Sequence, residues 1–424
     1  MKIHIKNGRL VDPRNGVDAE RDLYIAAGRV VGVGGAPAGF APNRVIDAAG
    51  LVVCPGLIDL AARLREPGYE YKATLESEMQ AAVAGGVTSL ACPPDTDPPL
   101  DEPGLVEMLK HRARTLNQAH VYPVGALTVA LKGEQLTEMG ELRDAGCIAF
   151  SHADAPLANN LVLMRTLQYA STFGFPVWLR PQDTFMSRGG VAHDGEVATR
   201  LGLPPIPALA ETLAVTAILA LARHTGASVH LCRLSTAEGV TLVRAARESG
   251  LAVTCDVSVN HLHLSEMDIG FFNPQAHVIP PLRGQRDRDA LRAGLADGSI
   301  DALCSDHTPV DDDAKQLPFG ESEPGATGLE LLLPLTLKWA EETGTPLAAA
   351  LSRVTVAPAR IMGIDAGHLS PGAAADLCIF DPQGWWTVDA RALKSQGRNT
   401  PFLGLELRGR VRHTLVAGHV VYEA

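Results

Sequence analysis

The chain has 424 residues, of which 46% are hydrophobic, so it can bury a large core and exceeds the usual size of one domain. Its formal net charge of −11 argues against nucleic acid or an anionic membrane as the partner. No apolar run approaches the roughly 18 residues of a membrane span, and residues 1–8 lack the apolar core of a signal peptide. We therefore expect a cytoplasmic protein that binds neither nucleic acid nor membrane.

The seven cysteines are isolated, and none belongs to a C-x-x-C pair. Most lie in short apolar runs, which is typical of buried free thiols in a reducing compartment. The pattern therefore predicts free cysteines rather than a zinc–thiolate site at these positions: Cys54, Cys92, Cys147, Cys232, Cys255, Cys304 and Cys378.

Short alternating segments at both ends of the chain predict strands joined by tight turns. Near the N-terminus they are Lys2–Ile5, Asp22–Ala26, Arg29–Gly32 and Arg44–Asp47; near the C-terminus they are Asp376–Asp381, Val411–Val416 and His419–Tyr422. Two strand-rich ends around a long middle predict one small β-sandwich domain, composed of residues 1–54 and 365–424.

Residues 55–364 alternate strand and helix signals, which predicts an α/β (β/α)8 TIM barrel. The eight candidate strands are Leu57–Ala62, Thr88–Cys92, Val121–Ala126, Cys147–Ser151, Pro176–Arg180, Ser228–Leu231, Ala252–Asp256 and Ala302–Ser305. Helical patterns between them include Leu75–Ala84, Leu105–Arg114, Leu161–Thr172, Pro207–His224 and Ala237–Glu248, with Leu329–Glu341 and Leu347–Ile364 after them. A doubly wound open sheet is the alternative, but no glycine-rich dinucleotide turn follows an early strand. Lys315–Glu323 is predicted to be a mobile loop at the barrel mouth.

Residues 55–68 read P-G-L-I-D-L-A-A-R-L-R-E-P-G. This segment resembles the first barrel strand of the cyclic amidohydrolases, most closely dihydroorotase, whose pattern is P-G-x-I-D-x-H-V-H-L-R-E-P-G. Further segments that resemble the family's scaffold are Val356–Gly363, Gly372–Asp381 and Arg398–Pro401. The resemblance runs through the whole chain and implies the amidohydrolase fold.

The family's metal ligands have changed at most of the matching positions. Strand residues two apart lie on one face, so H-x-H directs two imidazoles at one metal; those positions are Ala61 and Arg63. By the same resemblance, the bridging carboxylate of strand 4 falls on His152, and the histidines of strands 5 and 6 fall on Arg180 and Arg233. Of the six positions only Asp306, the metal-bound general base, keeps its residue type. Arginine stays protonated and repels a cation, so the sequence predicts no metal and no other cofactor.

The positions that would hold a substrate carboxylate are also altered. The resemblance places them at Arg65, which is retained, at Asp95, where the family has asparagine, and at Val310, where it has histidine. Asp95 would repel a carboxylate. One of the three expected anion contacts therefore remains.

Three arginines at strand ends that should face one another require an explanation. We expect Arg63, Arg180 and Arg233 to pair with Asp306, Asp59 or Asp183 and so fill the place of the metal. The alternatives are that they point to solvent, or that their excess charge holds an anion such as phosphate.

Other polar groups have simpler explanations. We expect His307 to be structural, and His261 and His263 to alternate on a strand outside the metal positions. Asp311–Asp313 is predicted to be a solvated loop. No G-x-S-x-G, P-loop or H-E-x-x-H motif supplies a second catalytic apparatus.

The combined pattern predicts a dihydroorotase-like pseudo-enzyme retained for its shape. It resembles the non-catalytic dihydroorotase-like chain that accompanies aspartate carbamoyltransferase in some bacteria. That resemblance implies a hetero-oligomer in pyrimidine synthesis, with contacts between copies of this chain as well. The alternatives are an active, divergent cyclic amidohydrolase that opens a cyclic amide or ureide, using Asp306 and His152 with one metal or no metal at all, and a module that binds a small anion.

Overall fold

A computed structural model describes residues 1–424. Seven short strands come before the barrel, and most of them alternate buried and exposed side chains or are buried on both faces. They are β1 Lys2–Lys6, β2 Arg9–Asp12, β3 Val17–Glu20, β4 Leu23–Ala26, β5 Arg29–Val33, β6 Arg44–Asp47 and β7 Val52–Pro55.

Eight parallel strands then form the barrel, in the order β8-β9-β10-β11-β12-β15-β16-β17. They are β8 Leu57–Asp59, β9 Val87–Cys92, β10 His120–Ala126, β11 Ala149–Ser151, β12 Val177–Leu179, β15 Val229–Leu231, β16 Val253–Ser258 and β17 Ala302–Cys304. The two-residue strands β13 Ala192–His193 and β14 Pro205–Ile206 pair in a loop. These strands are short and almost wholly buried, as expected of a parallel sheet covered by helices.

Twelve helices accompany the strands, and the larger ones pack their apolar faces against the outside of the barrel. They are α1 Leu75–Ala84, α2 Pro103–Leu116, α3 Met139–Ala145, α4 Asn160–Phe173, α5 Glu196–Leu201, α6 Leu209–Thr225, α7 Ala237–Glu248, α8 Val259–His263, α9 Gln285–Asp297, α10 Leu332–Thr343, α11 Leu347–Ser352 and α12 Val356–Met362. No helix is long and apolar enough to span a membrane.

The last three strands return to the N-terminal ones. These are β18 Leu377–Thr387, β19 Glu406–Val416 and β20 His419–Glu423. One sheet has the order β5-β4-β1-β6, and the other has the order β20-β19-β18-β7-β2-β3. Side chains from both sheets, such as Ile5, Ile25, Val53 and Leu377, share one apolar cluster. The structure thus confirms the predicted fold class, a (β/α)8 barrel with a β-sandwich built from both termini.

Backbone hydrogen bonds close the barrel between its first and last strands, which do not pair directly. At one end, Ile58 N and Leu303 N donate to carbonyls of residues 354 and 353. At the other end, Arg63 N donates to His307 O at 2.9 Å, and His307 N donates to Ala61 O at 3.0 Å. This second closure places Arg63 beside the residues that follow β17.

The predicted elements agree with the structure except at a few places. His261 and His263 lie on the short helix α8 rather than on a strand, because Ser258 caps that helix through its hydroxyl. The segment Lys315–Glu323 is anchored rather than free, since the Lys315 ammonium donates to Pro274 O at 3.0 Å and the Phe319 ring stacks on His277. The single stretch predicted at 347–364 is two helices.

A buried hydrogen-bond network fixes the end of β17 to the C-terminal part of the chain. His307 Nδ1 accepts from Gly328 N at 3.1 Å, so Nε2 carries the proton and donates to Glu78 at 2.6 Å. The same Glu78 carboxylate accepts from the Ser395 hydroxyl at 2.6 Å and from Gln396 N at 3.0 Å. His307 is therefore a structural residue, as predicted.

Replacing Glu78 with alanine should lower the free energy of unfolding by about 3 kcal/mol, because the buried donors of His307 and Ser395 and the part-buried Gln396 N lose their acceptor. Urea denaturation measures this change. The matched control is Glu76→Ala on the same helix, where the side chain is exposed; its effect should stay within about 0.5 kcal/mol. Equal effects of the two substitutions would show that the network does not stabilise the fold.

Candidate functional site

The residues singled out from the sequence converge at the carboxyl ends of the barrel strands. Ala61 and Arg63 follow β8, and Asp306 follows β17. His152, Arg180 and Arg233 come directly or almost directly after β11, β12 and β15. Since parallel strands end on the same face of a barrel, this is where such folds place their chemistry.

The carboxylate of Asp154 is the centre of the arrangement. It accepts a hydrogen bond from Arg63 Nη2 at 2.6 Å, and it also pairs with the guanidinium groups of Arg180 and Arg233. The three arginine side chains are only 6%, 8% and 5% exposed. They therefore point into the barrel mouth and not to solvent.

The remaining donors of two of these arginines reach further acceptors. Arg63 Nε donates to Asp95 at 2.7 Å, and its Nη1 donates to the Thr308 hydroxyl at 2.9 Å. Arg233 Nη1 donates to Asp306 at 2.8 Å. Asp95, Asp154 and Asp306 thus balance three arginines, which leaves the cluster without an excess of positive charge.

The structure confirms part of the predicted pairing. Asp306 pairs with Arg233, as expected. The expectation for Asp59 is wrong, because this buried carboxylate accepts from the backbone and hydroxyl of Ser305 instead. The expectation for Asp183 is wrong as well, because its carboxylate caps the turn at Phe185 N and Met186 N.

Asp154 was missed by the sequence analysis, which stopped at His152 on the strand-4 position. Ala153 has a left-handed backbone with φ of 48°, and this bend turns the chain so that Asp154 points back over the barrel. A signal for it exists in the sequence: three buried arginines require compensating carboxylates, and Asp154 is the first carboxylate after β11.

His152 is not available as a metal ligand in this arrangement. Its Nε2 is hydrogen-bonded to the Thr128 hydroxyl at 2.9 Å, and its Nδ1 lies 3.2 Å from Ala155 O. Burial lowers the pKa of His152, so the ring is neutral at physiological pH. Both ring nitrogens thus serve the local fold.

A buried group beneath Arg233 also contains metal-ligand residue types. His230, Cys232 and Asp256 lie close together, but His230 Nε2 is bound to Asp256 at 2.8 Å and its Nδ1 to Thr254 at the same distance. Burial raises the pKa of the Cys232 thiol, which opposes the thiolate form that binds metals. Asp256 also accepts from Arg233 N, so the group positions Arg233.

The donor set at the mouth does not fit the divalent ion that the amidohydrolase fold implies. Three guanidinium groups supply no lone pair, and their charge opposes a cation most strongly where water is excluded. The carboxylates of Asp154 and Asp306 are already engaged with those guanidinium groups.

The two central carboxylates differ in their electrostatics. Burial opposes the ionisation of Asp154, but the charges of Arg233, Arg180 and Arg63 outweigh it and hold its pKa well below the usual range. For Asp306, burial dominates over Arg233 and raises its pKa to about 6. Asp154 is thus the firmly ionised member of the cluster.

Left-handed backbone conformations recur at the strand ends that carry this cluster. Arg65, Arg233 and Asp306 have φ values of 62°, 55° and 50°. Such conformations cost about 1–3 kcal/mol each in residues with side chains and persist where the surroundings enforce them. The backbone at the barrel mouth is therefore strained at three residues, and the surrounding contacts hold it in that conformation.

The cavity inside the mouth is small. It has a volume of about 30 Å³ and is lined by the three arginines together with residues such as Leu60, Val124 and Trp178. This is roughly the space of one water molecule, whereas sites for small molecules usually measure about 300–1,000 Å³. The present arrangement has no room for a cyclic substrate.

A larger cavity of about 620 Å³ lies beside the cluster, towards α4 and α6. Its barrel side is formed by His152, Asp154 and Arg180, and its outer side by apolar residues that include Leu213 and Ile218. Asp154 and Arg180 are bonded to each other, and His152 is bonded to Thr128 and Ala155, so none of these three polar groups is free to receive a ligand in the cavity.

The three positions expected to bind a substrate carboxylate are engaged within the chain. Arg65 Nε donates to Pro309 O at 2.7 Å, and its guanidinium lies 3.9 Å from Glu323. Asp95 is bound to Arg63, and Val310 is buried.

Replacing Asp154 with asparagine should lower the free energy of unfolding by about 3 kcal/mol at pH 8, because three buried arginines lose their shared charge. Asp183→Asn is the matched control: it lies in the next loop, can still cap its turn and touches no arginine. Urea denaturation of both variants measures the difference. Equal stabilities would show that Asp154 does not hold the cluster together.

The raised pKa of Asp306 predicts a pH dependence of opposite sign to that of a salt-bridged carboxylate. The folded state holds the Asp306 proton more tightly than the unfolded state does. This proton therefore contributes fully to the free energy of unfolding below pH 3.8, and its contribution is lost as pH rises through about 6. Its size is about 3 kcal/mol, at about 1.4 kcal/mol per pH unit. The Asp306→Asn variant should lack this decrease in the free energy of unfolding with rising pH. At pH 8 it should be at least as stable as the wild type, since asparagine tolerates the left-handed backbone. Urea denaturation between pH 4 and 8 checks it; a variant with the wild-type slope would contradict the assignment.

Comparisons with known proteins agree with the fold. A family model described as dihydro-orotase-like matches residues 50–239, and the amidohydrolase family model matches residues 195–421. A dihydroorotase-like protein of Pseudomonas aeruginosa is 46% identical over 423 residues, covering 100% of both chains. A dihydroorotase of Geobacter sp. (strain M21) is 40% identical over 424 residues, again covering 100% of both chains.

Among solved structures, the L-hydantoinase (dihydropyrimidinase) from Arthrobacter aurescens superposes with a TM-score of 0.89 at 25% sequence identity. The match covers 99% of this chain and 96% of that one. Barrel and terminal β-sandwich are therefore both shared with this neighbour. Taken together with the matches along the full sequence, this similarity shows that the chain belongs to the dihydroorotase-like proteins of the amidohydrolase family.

Proposed function

We propose that this dihydroorotase-like protein is a non-catalytic subunit that assembles with aspartate carbamoyltransferase and supports its activity in pyrimidine biosynthesis. The proposal has two parts, the absence of hydrolysis and the presence of a partner. They rest on different observations and are tested by different measurements.

The first part is supported by the Asp154-centred cluster. Hydrolysis of a cyclic amide by this fold needs a metal-bound water and a free carboxylate to accept its proton. Here Asp306, at the general-base position, accepts from Arg233 at 2.8 Å, and Arg63 lies 3.6 Å away. The guanidinium groups occupy the space in which ligands, metal and substrate would have to meet.

The second part is supported by the resemblance to the non-catalytic chains that accompany aspartate carbamoyltransferase. A pseudo-enzyme of this type has a reason to keep a large folded barrel without its chemistry, because the barrel surface holds the partner. The whole-length match to a dihydroorotase-like protein fits a chain that has kept its scaffold.

The main alternative is an active, divergent amidohydrolase. The relatives named dihydroorotase at about 40% identity keep this alternative open. It requires the arginine cluster to rearrange, since the cavity of about 30 Å³ is too small for a substrate. The anion-binding alternative is less favoured, because three aspartates already balance the three arginines.

The decisive experiment uses the purified full-length chain, alone and mixed with the aspartate carbamoyltransferase of the same organism. We expect native mass spectrometry to show a joint complex, elemental analysis to show less than about 0.1 zinc per chain, and dihydroorotate turnover to stay at background. Carbamoyltransferase activity should rise or become more stable in the complex.

Each part can fail separately. Stoichiometric zinc with ring opening by the lone chain would establish the hydrolase. Absence of a complex at micromolar concentrations, with no effect on the carbamoyltransferase, would remove the partner from the proposal. Incubation of the wild type with zinc distinguishes a site blocked by arginine from a preparation that lost its metal, because zinc uptake would contradict the blocked site.

A further inference from the structure

Four exposed apolar side chains lie at the rim of the barrel mouth, in the loops after β16 and β17. We call them the rim patch: Met267, Phe271 and Phe272 in the first loop, and Leu317 in the second. Their exposed fractions are 62%, 90%, 37% and 46%. Side chains of this size are rarely left so open in one place unless another surface covers them.

The rim patch is held in a defined shape. A 3₁₀ turn at Glu266–Ile269 begins with a capping box at Ser265. Asn273 N donates to Ile269 O at 2.9 Å, and this closes the loop around the two phenylalanines, whose rings meet edge to face. The Lys315 ammonium joins the second loop to the first through Pro274 O.

The backbone conformation of Phe272 supports a functional role for this loop. Its φ of 59° lies in the left-handed region, which is rare for an aromatic residue. Such strain is kept where a side chain must be presented in a given direction. Phe271, next to it, is almost fully exposed, and its ring meets the Phe272 ring edge to face.

The two loops that carry the rim patch are acidic. The two loops, residues 264–277 and 310–324, contain seven carboxylates and one lysine. That lysine, Lys315, is buried and donates to backbone carbonyls, so it does not screen the rim from outside. Glu323 is engaged with Lys72. Exposed Asp312, Asp313 and Glu321 leave a negative border beside the aromatic tip.

We propose that the rim patch is the docking surface for the protein partner, and that the partner presents an apolar pocket bordered by arginine or lysine side chains. Phe271 enters the pocket as the anchor, and the acidic border pairs with the basic one. Aromatic anchors within a charged border are the usual composition of an interface centre and its edge.

Charge argues against the other occupants of this surface. A second copy of the chain would bring an equally acidic rim against the first, and both chains carry a net charge of −11. An anionic membrane surface would be repelled in the same way. A basic protein surface is instead attracted by the acidic residues of the rim.

This inference rests on the proposed function, because the probe is the aspartate carbamoyltransferase of the same organism. The test compares full-length wild type, Phe271→Ala and Phe173→Ala for affinity, measured by analytical ultracentrifugation. Phe173 is the matched control: it is 60% exposed at the end of α4, on the opposite face of the barrel. Thermal melts of Phe271→Ala should match the wild type, since the ring is almost fully exposed.

We expect Phe271→Ala to weaken the complex at least tenfold and Phe173→Ala to change it less than twofold. Neutralising the acidic run with Asp311→Asn, Asp312→Asn and Asp313→Asn together should slow association and reduce its dependence on salt.

A wild-type complex that Phe271→Ala leaves unchanged would overturn the docking surface while the proposed function stands. A lone wild-type dimer that Phe271→Ala dissociates would also overturn it, since the occupant would then be a second copy. If the wild type forms no complex at all, the proposed function and this inference fail together.

Discussion

The barrel mouth depends on one carboxylate, that of Asp154, which receives three guanidinium groups from three different strands. Arg63 comes from the end of β8, Arg180 from β12 and Arg233 from β15, while Asp154 itself follows β11. Through Arg233 the cluster also reaches Asp306 after β17. Arg63 also pairs with Asp95 after β9. Six of the eight barrel strands are thus connected by a single set of ion pairs.

Buried ion pairs of this kind add little net free energy to the stability of the fold. The desolvation of buried charges largely cancels their attraction, and well-packed apolar residues would often serve the fold equally well. What such a set does supply is geometry, because each guanidinium has fixed donor directions and each carboxylate fixed acceptors. The fixed geometry of the ion pairs fits the left-handed backbones of Arg233 and Asp306, since a firmly bonded side chain helps to hold an unfavourable backbone conformation.

The sequence was sufficient for the fold because short buried strands and amphipathic helices alternate clearly, and because scaffold motifs such as residues 356–363 persist. It also identified the arginines and Asp306 at the mouth. It could not identify Asp154, because the position of that carboxylate depends on the left-handed turn at Ala153, which a single alanine does not signal. The pairings of Asp59 and Asp183 were wrong for a related reason: both carboxylates found backbone and hydroxyl donors nearby.

The charges at the barrel mouth are balanced by residues of the chain itself, and this has a consequence for how the protein folds in the cell. A hydrolase of this fold that binds zinc competes for a scarce ion, and its population of working molecules follows the supply. Here the ligands that join the strands are encoded in the chain itself, as Arg63, Arg180, Arg233 and their aspartates. The barrel can therefore reach its final shape during zinc starvation, and chelators should leave it as it is.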